Sequence, residues 1–134
     1  MSGPGPALYE GGCQCGQVRW RASAEPENVR LCHCRNCQRA TGGPYFARIL
    51  FPAAALTRSG ETTAWASSHR LTRRACARCG TPIFADPNDA PFVAVSLTTL
   101  DDPCALAPGS HIWVSEKLAW VRIDDGLPQF PQGA

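Results

Sequence analysis

Lysine is almost missing from this chain, methionine occurs once, and no apolar run approaches the ~20 residues that a bilayer-crossing helix needs. Twelve of the 13 basic residues are arginines, scattered through strand-like segments, and Lys117 is the only lysine. With no basic run there is no footprint for nucleic acid, so neither a nucleic-acid nor a membrane partner is expected. The opening MSGPGPALYEGG has no basic n-region and no apolar stretch of ~7–15 residues, which argues against a secretory signal and for a cytoplasmic protein. The signatures H-E-x-x-H, P-loop, G-x-G-x-x-G and G-x-S-x-G are all missing, which excludes those metalloprotease, nucleotide-binding and serine-hydrolase chemistries. No internal repeat of 20–50 residues points to a solenoid. Twelve prolines and twelve glycines interrupt any long helical pattern.

What is present fits one small domain. At 134 residues and 44% hydrophobic content the chain can bury one modest core. The bounds read as a flexible start over 1–10, a domain over 11–130 and a short tail over 131–134. Gln17–Ala22 alternates, with Val18, Trp20 and Ala22 on one face, as in a half-buried strand. Tyr45–Phe51, Thr62–Ser67, His69–Ala75 and Phe92–Thr98 are further strand candidates, the last placing Val93, Val95 and Leu97 on one face. The best helix candidate is Arg35–Ala40, stopped by Gly42 and Gly43. The predicted class is mainly β with little helix. Trp20, Trp65, Trp113 and Trp120, all in or beside strand-like runs, are expected to pack in the core.

Eight cysteines, about 6% of the chain, fall short of the ~8–10% of a disulfide scaffold, and their spacing is poor for disulfides. They form C-x-C at Cys13 and Cys15, C-x-C-x-x-C at Cys32, Cys34 and Cys37, C-x-x-C at Cys76 and Cys79, and a lone Cys104 in a turn-rich stretch. Pairs at such gaps place two sulfurs on one turn, within reach of one tetrahedral zinc. Gly16 and Gly80 trail the first and last pairs, so Cys13, Cys15, Cys76 and Cys79 read as a closed structural site that clamps distant segments. Cys32, Cys34 and Cys37 offer three thiolates and no obvious fourth ligand, the pattern of a zinc with one open position. A second structural zinc completed by His33, His69 or Cys104 is the alternative. His33 is expected to face solvent or support the cluster, and His69 and His111 to be structural. Two zinc ions on seven thiolates would turn the formal charge of +2 into about −1, removing the apparent basicity. The pairs Asp101/Asp102 and Asp124/Asp125 sit beside a turn proline or glycine and read as solvated turns.

The segments G-G-C-Q-C-G-Q-V-R at 11–19, C-H-C-R-N-C-Q-R-A-T-G at 32–42 and C-A-R-C-G-T at 76–81 together resemble the glutathione-dependent formaldehyde-activating enzymes, a family that includes centromere protein V. L-D-D-P at 100–103, H-I-W-V-S-E-K at 111–117, Trp120 and I-D-D-G-L-P at 123–128 extend the likeness over about 11–130. The resemblance implies a small zinc-pinned β-tent, with structural zinc on Cys13, Cys15, Cys76 and Cys79 and a glutathione-responsive zinc on Cys32, Cys34 and Cys37. It also implies a carbon–sulfur lyase type of activity, in which glutathione adds to formaldehyde or a related aldehyde. The substrate thiol would take the open position. Arg35, Arg39 and Arg48 are candidates to grip a glutathione carboxylate. The other class compatible with the family is a non-enzymatic zinc module that binds glutathione or a macromolecule.

Overall fold

The structure, a computed structural model, describes residues 5–133. Ten short strands and one α-helix make it mainly β, as the sequence implies. Strands β1 (Tyr9–Gly12), β2 (Arg19–Ala22) and β5 (Leu56–Ser59) form a three-stranded sheet in the order β1-β2-β5. The other sheet contains β3 (Asn28–Cys32), β4 (Phe46–Pro52), β6 (Thr62–Ser68), β7 (Leu71–Cys76), β8 (Pro82–Pro87), β9 (Phe92–Ser96) and β10 (Ser110–Ile112). Its order is β10-β3-β4-β9-β8-β7-β6, antiparallel throughout except for the β10–β3 pair. The helix α1 spans Arg35–Thr41. Residues 1–4 of the expected flexible start and residue 134 of the expected tail lie outside the described residues, while Tyr9 and Glu10 stand in β1. No helix among the described residues is long and apolar enough to cross a membrane.

Strand alternation divides the buried side chains between the faces of the larger sheet. Ile49 and Phe51 of β4, with Val93 and Val95 of β9, join Val18, Trp20 and Ala22 in the main core. Trp20 and Phe51 have ring centroids 5.7 Å apart, and the Trp20 indole N–H donates to Thr99 Oγ1 at 3.0 Å. A fully buried ring of this size contributes about 3 kcal/mol. The intervening residues Phe46, Leu50 and Ala94 belong to a second apolar cluster, which also holds Cys32, Cys37, Ala85 and Ile112. That cluster surrounds the site described below.

Two of the four tryptophans depart from the expected core placement. Trp65 is 72% exposed on β6, an edge strand, and Trp120 is 71% exposed in the irregular chain after residue 116. Neither has a sheet or helix packed over it, which strand-like local sequence does not reveal. His69, expected in a strand, is instead an exposed residue of the β6–β7 turn.

Gly60 closes the turn between β5 and β6 at φ +95°, and a Cβ there would lie 2.2 Å from the Gln17 carbonyl oxygen. Positive φ alone costs a non-glycine residue about 1–2 kcal/mol, and the backbone contact adds to it. Gly60→Ala is therefore expected to lower unfolding free energy by at least about 2 kcal/mol. Denaturant titration would show this as a lower midpoint at unchanged slope.

Candidate metal centres

The turn after β1 carries Cys13 and Cys15, and the end of β7 with its following turn carries Cys76 and Cys79. Their four sulfurs lie within 4.8 Å of one another. The Cys13–Cys15 and Cys15–Cys76 separations are 3.6 and 3.8 Å. A tetrahedron with metal–sulfur bonds of ~2.3 Å has edges of about 3.8 Å, so the donor set fits a zinc-sized divalent ion. The surrounding backbone favours thiolates. Val18 N–H donates to Cys13 Sγ at 3.2 Å, and Arg78 and Cys79 N–H donate to Cys76 Sγ at 3.3 and 3.4 Å. Hydrogen bonds from the Thr81 hydroxyl and then the backbone hold Cys79 down at about 5.

Cys32, Cys34 and Cys37 converge from the end of β3 and the first turn of α1, their sulfurs again within 4.8 Å. Cys34 is the helix N-cap, and its Sγ accepts from Cys37 N–H at 3.3 Å. The helix ends where Gly42 takes φ 71°, a left-handed cap that suits glycine. Hydrogen bonds from Cys32 and then Cys37 push the Cys34 thiol down. Cys32 is pushed far up by its hydrogen bonds to Cys34 and Cys37 and by burial. No other His, Cys, Asp or Glu among the described residues joins this group.

The three-cysteine cluster opens into a cavity of about 460 Å³. Phe46, Trp113 and Glu116 stand around the cluster end, and Arg48 and Arg73 reach into the same space. Arg73 Nη2 donates to Cys37 Sγ at 3.5 Å and its Nε to Ser67 Oγ at 3.1 Å. Arg48 donates to Asn28 Oδ1 at 3.1 Å. Burial lowers its pKa, opposed by the nearby Cys32. Among the described residues no carboxylate pairs with either arginine. Glu116, the one carboxylate on the cavity wall, accepts from Arg35 N–H at 2.8 Å.

The family model for the glutathione-dependent formaldehyde-activating enzymes matches residues 8–116, which include both cysteine clusters and the cavity wall. The chain belongs to that family. A Halomonas elongata protein, provisionally named a glutathione-dependent formaldehyde-activating enzyme, is 30% identical over 128 residues, covering 87% of this chain and 82% of its own. A crystal structure of a Rhodobacter sphaeroides protein shares the fold with a TM-score of 0.58 at 18% identity, covering 90% of this chain and 98% of its own.

In this member of the formaldehyde-activating family, none of the three residues considered as a fourth ligand reaches the open cluster. His69 is exposed in its turn, and Cys104 is exposed in a loop where its N–H bonds Asp102 Oδ1. His33 is not solvent-facing: it is fully buried, its Nε2 lying 2.9 Å from His111 Nδ1. His111 Nε2 in turn meets Asp125 Oδ2 at 2.7 Å, so one member of that acidic pair anchors a buried chain of imidazoles. Asp101 likewise leaves its turn role to bind Arg19 through both carboxylate oxygens.

Of the three candidate arginines, only Arg48 lines the cavity. Arg39 is exposed, and Arg35 is exposed with its guanidinium on Gln38 Oε1. Arg73 was invisible to motif reading. It sits 36 residues from Cys37, and nothing local separates it from Arg74, which pairs with Asp86. Gln38, also missed, ties the cluster backbone to the 3-10 turn at 114–116 by donating to the His33 and Glu116 carbonyls.

Proposed function

We propose that this protein is a zinc-dependent carbon–sulfur lyase-type enzyme that joins the thiol of glutathione to formaldehyde or a related aldehyde. The observation that carries this is the opening of a three-thiol cluster into a cavity that also holds two guanidinium groups without carboxylate partners. Cys13, Cys15, Cys76 and Cys79 would hold a structural zinc, and Cys32, Cys34 and Cys37 a second one. Bound there, zinc would lower the pKa of an incoming fourth thiol and keep it reactive at neutral pH.

The remaining work belongs to the chain. Arg73 holds Cys37 Sγ in place and presents positive charge beside the cluster. Arg48, two residues along β4 from Phe46, is placed to receive a carboxylate of the tripeptide, for which a guanidinium is suited. Phe46 and Trp113 narrow the water-accessible space at the cluster end. The sulfur bonds to the carbonyl carbon, and the thiol proton ends on the former carbonyl oxygen.

Thiols add to formaldehyde unaided, so the test is acceleration over the blank. Protein with its metal content measured is added to glutathione and formaldehyde at equilibrium, and exchange is followed by NMR. Exchange at the blank rate, with two zinc ions bound per chain, would overturn this function. Arg48→Met should weaken glutathione binding by roughly 10- to 100-fold, the value of one charge-assisted hydrogen bond. Its thermal stability should hold or rise, because a half-buried charge without a carboxylate partner is removed. Titration calorimetry and a melt on the same sample check both.

A further inference from the structure

The far half of the cavity is built for something other than a peptide or a one-carbon aldehyde. Along β4, Phe46 stands opposite Cys32, and Leu50 lies four residues on, roughly 13 Å away at ~3.3 Å per residue. Leu50 pairs across the sheet with Ala94, and Ala94 with Ala85. Leu71 and Pro87, also paired, complete the wall. These two adjacent alanines, with side chains of one carbon each, leave space above the sheet here. Interior strands are normally filled to crystal-like density, and Val or Leu at either position would occupy it. Leu50, Leu71, Ala85, Pro87 and Ala94 offer no side-chain hydrogen-bond partner, and the Ser67 and Ser68 hydroxyls on the β6 side of the cavity already accept from Arg73 Nε and Arg70 N–H, so placing the charged ends or amides of glutathione against this wall would strand polar groups. Glutathione held at Arg48 and the cluster, with a one-carbon aldehyde, brings no apolar group to cover this wall.

We propose that this apolar half receives a hydrocarbon substituent on the reacting carbon. The substrates are then medium-chain or aromatic aldehydes combined with glutathione. The step is R–CHO plus thiol giving R–CH(OH)–S–glutathione. One carbon–sulfur bond forms, the carbonyl π bond opens, and the thiol proton moves to oxygen with no change in oxidation state. The proposal rests on the glutathione function above and extends it to the other reactant.

Titration calorimetry on the zinc-loaded protein with glutathione, S-methylglutathione and S-octylglutathione tests it without requiring turnover. The octyl compound should bind at least about 50-fold more tightly than the methyl one, roughly what burial of three methylenes gives. Ala94→Leu, which fills the space, and Leu50→Gln, which makes its wall polar, should each bring that ratio down towards one. A ratio near one in the natural protein, with glutathione and S-methylglutathione still binding, overturns this proposal and leaves the glutathione function standing. A large ratio that both variants retain also overturns it, because the chain then lies elsewhere. Failure of all three compounds to bind overturns both readings.

Discussion

Replacing Cys76 with serine is expected to abolish cooperative folding near physiological temperature and to remove one metal equivalent per chain. Cys76 ends β7 in the larger sheet and is 2% exposed, and its sulfur lies 3.8 Å from that of Cys15, which follows β1 of the smaller sheet. The four-cysteine site thus joins two sheets through residues about 60 positions apart in sequence. In small zinc domains the apparent metal-binding free energy is ~10–16 kcal/mol at neutral pH, and it is folding free energy because the unfolded chain has no site. A typical domain's whole stability is ~5–15 kcal/mol. Serine can still accept from the Arg78 and Cys79 N–H groups, so the difference isolates the lost thiolate. A strong chelator applied to the natural chain should reproduce the result. Far-UV circular dichroism melts with zinc analysis on the same sample measure it. A melting temperature within a few degrees of the natural chain would show that packing alone holds the sheets together.

The second large effect is expected from Cys34→Ser, and it should fall mainly on chemistry. Serine is among the preferred N-cap residues, so the bond from Cys37 N–H and the start of α1 survive the change. What is lost is one of the three clustered sulfurs, the one that the Cys32 and Cys37 hydrogen bonds favour as thiolate. Metal content should fall from two equivalents to one. Acceleration of glutathione–aldehyde exchange should fall at least about 1000-fold, equivalent to ~4 kcal/mol of transition-state stabilisation. With the cap kept and the three ligands all within six residues of the chain, unfolding free energy should fall far less than for Cys76→Ser. The contrast with Cys76→Ser separates a clamp from a reactive centre. Equal destabilisation by the two substitutions would mean that both clusters serve the fold.

Much of the fold was legible in local sequence. Clean alternation marks β2 and β9, and the helix starts at Arg35 and stops at Gly42 as the glycines predict. The strands β1, β3, β5, β8 and β10 carry no such signal. β10 is three residues long and exists because it lies parallel to β3, about 80 residues earlier in the chain. β8 is bracketed by Pro82 and Pro87, and its register shifts where Arg74 and Ala75 of β7 meet it. Such strands are set by their neighbours, so their own residues do not announce them.

Family membership, the mainly-β class and the grouping of cysteines into four and three follow from the sequence alone, because metal ligation demands particular atoms at short spacings that survive in one dimension. Only the tertiary structure decided what surrounds the open cluster. It selected Arg48 over Arg35 and Arg39, brought Arg73 to Cys37, buried His33 against His111, and set Ala85 beside Ala94 on the cavity wall. Each of these depends on strand register, and a shift of one residue would turn the side chain to the opposite face.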